Sequence, residues 1–142
     1  MKAYKIINAK YKLEEIKKEK EIQKKQSDYW LSLNPYKFEK EIAILFEKQG
    51  YKTNVTKGSG DGGIDIELEK ENGRGIVQCK LYQNKLGPSP VRDLFGTMVA
   101  GNYKYGFVVN PLGFSDNAYE FSKGKNIGLI DLNIIMLMVN NK

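Results

Sequence analysis

The spacing of apolar residues changes along this chain, and each spacing predicts a different kind of element. Residues 9–27 are dense in Lys, Glu and Gln and contain neither Gly nor Pro, which predicts a helix. The apolar positions Leu13, Ile16 and Ile22 do not keep a heptad, because Lys20 falls where a seam would continue. This segment is therefore expected to be either a solvated or partly disordered helix, or a basic arm that contacts nucleic acid or a partner subunit.

A clearer amphipathic helix follows this segment. Asn34 can cap its start, Pro35 suits its first turn, and Gly50 is a natural residue beyond its end. Glu39 lies about 60° from the centre of the predicted apolar stripe and Glu41 about 100° away on the other side, so Glu39 is the acid nearer the packed face. The stripe consists of Phe38, Ile42, Leu45 and Phe46.

Strand and helix patterns alternate over the rest of the chain. Strands are predicted at residues 51–56, 64–69, 75–82, 105–109 and 127–130, and helices at 89–101, 115–122 and 132–139. The helix at 89–101 is expected to bury one face: Val91, Leu94, Phe95, Met98 and Val99. This order predicts an α/β (α+β) domain over residues 31–142, preceded by a charged helical leader over residues 1–30. Its mixed central sheet begins as an antiparallel meander, continues through crossover strands and is flanked by helices.

Composition narrows the chemistry that such a domain can perform. The chain has no His, which excludes His-based nucleases, Ser-His-Asp hydrolases, zincins and zinc deaminases. The single cysteine, Cys79, cannot form an internal disulfide, and neither a secretory signal nor an apolar run of about 18 residues is visible. We therefore expect a cytoplasmic protein with no membrane partner. The net charge of +6 favours a polyanionic partner, and residues 1–30 contribute nine lysines against five acids.

A tight turn predicts how the second and third strands pair. Asn72-Gly73 favours a two-residue type I′ loop, which would place Glu71 opposite Arg74. This register sets apolar residues against apolar residues on one side of the hairpin, in the pairs Ile64–Leu81, Ile66–Cys79 and Leu68–Val77. A slip of one residue would set apolar against polar throughout, so the hydrophobic pattern supports this register.

On the other side of the hairpin the same register gathers an acid, an amide and an amine. Asp65 is expected opposite Lys80, with Gln78 on the neighbouring diagonal, about 7–8 Å away. Glu39, on a helix that can cover the sheet, would add a second carboxylate. Such oxygen donors suit Mg²⁺, which can activate water, and Lys80 can stabilise the charge that develops at a phosphodiester. The alternative is an ordinary cross-strand ion pair on a solvated face.

Several blocks of sequence, in order, resemble the catalytic domain of Mrr-like restriction endonucleases, which belong to the PD-(D/E)xK phosphodiesterase superfamily. The similarity covers roughly residues 30–139. It rests on Phe38-Glu39, Gly50-Tyr51, the segments 60–66 and 77–80, the helix at 91–101, and the segments 106–109, 113–114 and 129–131. The resemblance implies a restriction-endonuclease-like fold and a metal-dependent DNA endonuclease from a restriction or defence system.

The resemblance also implies roles for individual residues. Asp65 matches the metal-binding aspartate, Gln78 and Lys80 match the QxK variant of the motif, and the backbone carbonyl of Cys79 would be a metal ligand. Glu39 matches the glutamate of the first helix. The implied cofactor is Mg²⁺, with Mn²⁺ able to substitute. The chain lacks a Pro before the aspartate and carries a neutral amide where the wider superfamily has an acid, which leaves one-metal and two-metal chemistry open.

Contacts to DNA are expected from residues around this centre. Lys57 and Ser59 lie in a glycine-rich loop, and Tyr82 and Lys85 follow the predicted catalytic strand; simple turn or solvated-loop roles are the alternative. Asp61, in the same glycine-rich loop, is expected to support the site or shape the loop.

No helix-turn-helix segment is visible, so target choice is expected from a homodimer, from a separate specificity or effector protein, or from DNA shape or modification. Two rival functions remain open. One is a structure-selective nuclease that resolves DNA junctions, and the other is a non-cleaving DNA-binding module.

Overall fold

The leader folds as one long helix. A computed structural model describes residues 2–56 and 63–141, and in it α1 spans Ala3–Ser32. The helix extends beyond the predicted segment at both ends and stops just before Asn34-Pro35. A proline disfavours helical geometry in the residue that precedes it, which here is Asn34. Its apolar side chains are largely exposed, including Leu13 and Ile16, whereas Trp30 is buried.

The contacts of the chain form two compact units, Met1–Leu33 and Asn34–Lys142. The second unit contains all the remaining elements. They are α2 (Pro35–Lys48), β1 (Lys52–Val55), β2 (Ile66–Lys70), β3 (Gly73–Cys79), α3 (Pro88–Ala100), β4 (Tyr105–Val109), α4 (Asp116–Ser122), β5 (Ile127–Ile130) and α5 (Leu132–Asn140). No helix among the described residues has the length and apolar character needed to cross a bilayer.

One mixed sheet organises this unit, with the strands in the order β1-β2-β3-β4-β5. The first three strands pair antiparallel, and β3, β4 and β5 pair parallel. The helices α3 and α4 therefore lie in the crossovers that parallel pairing requires. The predicted mixed sheet, with a meander followed by crossover strands, is confirmed.

Helices cover both faces of the sheet. On one face, the ring of Phe46 from α2 lies 5.0 Å from the ring of Phe107 in β4. On the other face, α3 and α4 close a core that includes Ile76, Leu94 and Val108. The central strand β3 is consequently buried on both sides. A larger set of core residues shares less than 1% exposure: Phe38, Ile42, Ile66, Ile76, Val77, Val91, Val108, Val109, Ala118 and Ile135.

One residue predicted to face this core does not. Val99 is 65% exposed, whereas Val91, Leu94 and Met98 of the same helix are buried. Successive helical residues are about 100° apart, so Val99 is turned away from the stripe that ends at Met98. The prediction that Val99 faces the core is therefore wrong, because Val99 lies at the edge of the predicted stripe.

The predicted hairpin register is wrong by two residues. Glu69 pairs with Arg74 and Lys70 pairs with Gly73, so the loop consists of Glu71 and Asn72. Gly73, with φ of 118°, begins β3. A shift of two residues leaves every side chain on the same face, and hydrophobic alternation therefore cannot distinguish the two registers.

Contacts with β4 fix the observed register of β3. The ring of Tyr105 occupies the space that a Cβ at position 75 would need, so Gly75 admits the ring. The hydroxyl of Tyr105 donates a hydrogen bond to the carbonyl of Gly73 at 3.1 Å. This long-range contact, which local sequence cannot reveal, anchors the start of β3.

The cap of α2 generates a test of the fold. Asn34 Oδ1 accepts a hydrogen bond from the backbone N–H of Lys37 at 2.8 Å, as the sequence predicts. Asn34→Ala should lower the free energy of unfolding by about 1 kcal/mol, because one N-terminal N–H loses its partner. Urea denaturation followed by circular dichroism measures this loss. Asn34→Asp should keep nearly full stability, and equal destabilisation by both substitutions would contradict the capping role.

Candidate active site

Asp65 stands immediately before β2, at an irregularity in the ladder. Its N–H donates to the carbonyl of Val77 at 2.9 Å, although Ile66 is the residue that pairs with Val77. Two consecutive residues thus oppose one, which is the pattern of a β-bulge. Such bulges redirect side chains, and here the side chain concerned is the predicted metal-binding carboxylate.

The redirected carboxylate lies over the end of β3. Asp65 Oδ2 accepts a hydrogen bond of 2.7 Å from the backbone N–H of Cys79. The expected ladder pairing of Asp65 with Lys80 is wrong, because β2 begins at Ile66 and β3 ends at Cys79. The predicted register would also set Glu67 opposite Gln78, whereas Glu67 lies opposite Ile76. The bulge and the shifted register account for both differences.

Glu39 reaches Asp65 from α2. The two carboxyl groups are close enough to share a hydrogen bond. Burial, then the charge of Asp65 and that hydrogen bond, raise the pKa of Glu39 to about 7. Burial also raises the pKa of Asp65, against the opposing effects of the Cys79 N–H, the Lys80 ammonium and the Glu39 carboxyl. The pair therefore resists carrying two negative charges at once.

Lys80 supplies the positive charge of this cluster. Its backbone N–H donates to the carbonyl of Val109 at 2.7 Å, which joins the residue after β3 to the end of β4. Its ammonium lowers the pKa of Asp65 and lies 5.7 Å from the centre of the Tyr82 ring. Lys80 is half-buried, whereas Tyr82 is 53% exposed at the rim.

Gln78 packs against a glycine next to the site. A Cβ at position 63 would lie 2.7 Å from Gln78 Nε2, and Gly63 has φ of 82°. Glycine at this position therefore provides both the backbone conformation and the room for the amide. The amide of Gln78 therefore lies against the backbone of Gly63, which is two residues before Asp65 in the chain.

These groups suit a hard divalent cation. The described part of the chain contains no group of three or more His, Cys, Asp or Glu side chains that could hold a metal. Two carboxyl groups with raised pKa values, completed by neutral oxygens and water, are nevertheless a donor set that Mg²⁺ accepts. A cation between Glu39 and Asp65 would favour the ionised form of both. The neutral oxygen donors expected from the sequence are Gln78 Oε1 and the Cys79 carbonyl.

The thiol of Cys79 does not fit a nucleophile. Burial, with the charges of Asp65 and Glu39, raises its pKa well above the ordinary value. The thiol therefore stays protonated at neutral pH, and thiolate is the nucleophilic form. The observed contribution of Cys79 to the site comes from its backbone N–H, which donates to Asp65.

The remaining sequence-predicted residues have different outcomes. Lys57, Ser59 and Asp61 lie outside the described residues. Lys85 is exposed and lines a cavity of about 420 Å³ at the ends of β4 and β5. Tyr82 stands beside Lys80, as described above.

Asn110 is a supporting residue that sequence reasoning missed. It is fully buried at the end of β4. Its Oδ1 accepts from the N–H of Tyr82 at 3.2 Å, and its Nδ2 donates to the carbonyls of Asn84 at 3.1 Å and Gly113 at 2.9 Å. Asn110 thus fastens the segment that follows Lys80. Its signal in the sequence is a lone polar residue directly after a fully apolar strand.

The raised pKa of Glu39 predicts a pH-dependent stability in EDTA, which keeps metal ions away. Its ordinary value is 4.5 and its folded value is about 7, so the folded protein binds this proton more tightly and gains stability as pH falls from about 7 towards 4.5. At pH 8 the melting temperature of Glu39→Gln should exceed that of the wild type, and this difference should shrink towards pH 5. Differential scanning fluorimetry measures both melting temperatures. A difference that does not change with pH would contradict the raised pKa of Glu39.

The contacts of Asn110 predict a large loss of stability on substitution. Asn110→Leu keeps the volume but leaves the carbonyl of Gly113 and the N–H of Tyr82 without this partner. The free energy of unfolding should fall by about 2–4 kcal/mol, measured by urea denaturation. Asn133→Leu, at an exposed position of α5, is the matched control and should change stability by less than about 0.5 kcal/mol. Similar losses in both variants would contradict the bridging role.

Comparisons with solved structures give the fold its context. The DNA modification-dependent restriction endonuclease AspBHI superposes with a TM-score of 0.66, 17% identity, and coverage of 82% of this chain and 35% of that one. The MspJI restriction endonuclease in complex with a 27-mer oligonucleotide superposes with a TM-score of 0.53 and 19% identity, covering 83% of this chain and 30% of that one. At such identities the likeness shows a shared restriction-endonuclease-like fold.

A comparison of sequences identifies the family. The type IV methyl-directed restriction enzyme EcoKMrr of Escherichia coli strain K12 is 28% identical over 122 residues, which are 79% of this chain and 40% of that enzyme. This chain thus spans well under half of that relative. The family model Mrr_cat, described as a restriction endonuclease, matches residues 30–139. The chain therefore belongs to the Mrr_cat restriction endonuclease family.

Proposed function

We propose that this chain is a metal-dependent endonuclease that hydrolyses phosphodiester bonds in DNA as part of a restriction system. The observation that carries the proposal is the convergence of Glu39 and Asp65, with the Lys80 ammonium beside them, at the end of β3. Membership of a restriction endonuclease family supports the reaction class. A surface that only binds a polyanion does not require two neighbouring carboxyl groups with raised pKa values, and such groups are typical of catalytic sites.

Glu39, Asp65, Gln78 Oε1 and the carbonyl of Cys79 would hold Mg²⁺, with Mn²⁺ able to substitute. Such an ion, when bound, lowers the pKa of water and offsets charge on the phosphodiester. The hydrogen bond from the Cys79 N–H orients Asp65, and this fixes one donor before any ligand arrives. Deprotonation of Glu39 above pH of about 7 completes the donor set, because its pKa lies near that value.

Lys80 has a separate role in the proposed reaction. Lys80 directly follows β3, and its backbone N–H donates a hydrogen bond to the carbonyl of Val109. Its ammonium lies near the ring of Tyr82. From there it would stabilise negative charge on the attacking oxygen and on the phosphoryl group in the transition state. Removal of the ammonium leaves the carboxyl pair in place, so metal binding and charge stabilisation can be separated by mutation.

DNA is the proposed substrate, and Tyr82 and Lys85, together with Lys57 and Ser59, are the proposed contacts around the centre. Both Tyr82 and Lys85 are exposed on the segment that follows Lys80. EcoKMrr is a methyl-directed enzyme by name, and this chain spans 40% of it. A homodimer or a separate specificity protein is proposed to contribute to recognition of the target, because no helix-turn-helix segment is visible in the sequence.

The proposal predicts loss of cleavage in two variants with different metal behaviour. Asp65→Asn and Lys80→Ala should each reduce cleavage of supercoiled plasmid by about 10²-fold or more, because each removes a charged group from the reacting centre. Lys80→Ala should still bind Mn²⁺. Lys123→Ala is the matched control and should cleave like the wild type, because both Lys123 and its ion-pair partner Glu120 are exposed.

The measurement is gel analysis of methylated and unmethylated plasmid with Mg²⁺ or Mn²⁺, and with excess EDTA. Wild-type cleavage that persists in EDTA would contradict the metal role, and full activity in Asp65→Asn would contradict the site. Binding without products under any divalent metal would instead support a non-cleaving module. Preferential cleavage of a four-way junction over linear duplex would support a junction-resolving nuclease.

A further inference from the structure

The helix α1 distributes its charges unevenly. Projection at about 100° per residue puts five lysines within about 140° of arc, and no acid lies in that arc. All five are exposed. We call this surface the lysine face, and it consists of Lys5, Lys12, Lys17, Lys20 and Lys24.

The remainder of the helix surface has the opposite balance. It carries three lysines against five acids, although it covers the larger arc. The exposed lysines outside the lysine face are Lys10, Lys18 and Lys25, and the acids are Glu14, Glu15, Glu19, Glu21 and Asp28. A helix that was merely solvated would need no such separation of charge.

We infer that the lysine face of α1 binds the phosphate backbone of DNA and forms a second DNA contact surface, separate from the site at the end of β3. The lysines from Lys5 to Lys24 extend over about 28 Å of helix, which is the length of about eight base pairs. Lysine ammonium groups offer mobile point charges without a base-reading geometry, so this contact is independent of sequence.

The family model does not account for this surface. It begins at residue 30, and the lysine face lies wholly before that position. The inference rests on the proposed function only in taking DNA as the polyanion. It assigns to α1 the part of the affinity for DNA that does not depend on base sequence.

A second copy of the chain fits this surface less well than DNA. Ile6, Leu13 and Ile16 also lie on the lysine face, but Lys20 interrupts the apolar row where a coiled coil would continue. Two copies joined through this face would bring their lysines together, and like charges would oppose the pairing.

An anionic membrane also fits less well. Helices that lie on membranes segregate an apolar face from a charged face. In α1 the opposite side carries Tyr4, Ile7 and Tyr11 along with acids, so apolar residues occur on both sides. Charge complementarity with a polyanion is the property that distinguishes the lysine face from the rest of the helix.

The test compares two triple variants of the full chain. Lys12→Gln/Lys20→Gln/Lys24→Gln removes three charges from the lysine face. Lys10→Gln/Lys18→Gln/Lys25→Gln removes three charges from outside the lysine face, at similar positions along the helix axis. Gln is a good helix former, and circular dichroism verifies that both variants keep their helix content. Fluorescence anisotropy with a labelled duplex of about 30 base pairs, in EDTA, gives binding without cleavage.

The lysine-face variant should bind at least about tenfold more weakly than the wild type at about 100 mM salt. Its slope of log affinity against log salt should fall by about 2–3, because each lost phosphate contact removes about 0.9. The control should change affinity by less than about threefold and keep the wild-type slope. Equal changes in both variants, or none in either, would overturn the inference. So would a wild type that binds anionic vesicles but not the duplex, or one whose sedimentation shows self-association lost only in the lysine-face variant.

Plasmid cleavage by the same proteins separates this inference from the proposed function. A lysine-face variant that binds and cleaves like the wild type would overturn the inference and leave the nuclease proposal standing. A wild type that binds duplex through the lysine face but never cleaves it would support the inference and defeat the nuclease proposal.

Discussion

The whole site depends on the placement of one carboxylate, that of Asp65, against the backbone N–H of Cys79. The 2.7 Å hydrogen bond joins the start of β2 to the end of β3 at a bulge, and so directs the carboxylate to the edge of the sheet. There it meets Glu39 from the helix on that face. Burial raises the pKa of both groups, and the charge of Asp65 raises the pKa of Glu39 further, which is a cost that the fold maintains. A bound cation would remove this cost, which supports the proposed metal site.

The sheet explains why these groups meet. β3 is covered on both faces, and its carboxyl end is the point where antiparallel pairing with β2 and parallel pairing with β4 come together. Residues just past that end leave the ladder and become free to turn outward. Lys80 is held there by Val109, and the segment after it is held by the buried side chain of Asn110. Support from β4 thus reaches a site whose charged residues come from α2, from the position before β2 and from the position after β3.

Much of this could be predicted from the sequence, and the rest depended on contacts between distant residues. The period of two, the cap at Asn34 and the patterns of the crossover helices are local, and they predicted which elements form. The hairpin register failed because Gly73 and Gly75 are fixed by Tyr105, about 30 positions away in the chain. The bulge at Asp65 was not predicted, because it too depends on contacts with distant residues, here Val77 and Cys79. Asn110 was missed because its three partners lie on two separate loops.

We propose that Glu39 and Asp65 together form a site for a divalent cation beside Lys80. Titration of Mn²⁺ into the full chain at pH 8, followed by electron paramagnetic resonance of the free ion, measures binding at this site. We expect saturable binding that Asp65→Asn abolishes, that Glu39→Gln weakens, and that falls for the wild type as pH drops below about 7, where Glu39 becomes protonated. Equal Mn²⁺ binding by the wild type and Asp65→Asn, or no binding by the wild type, would contradict it.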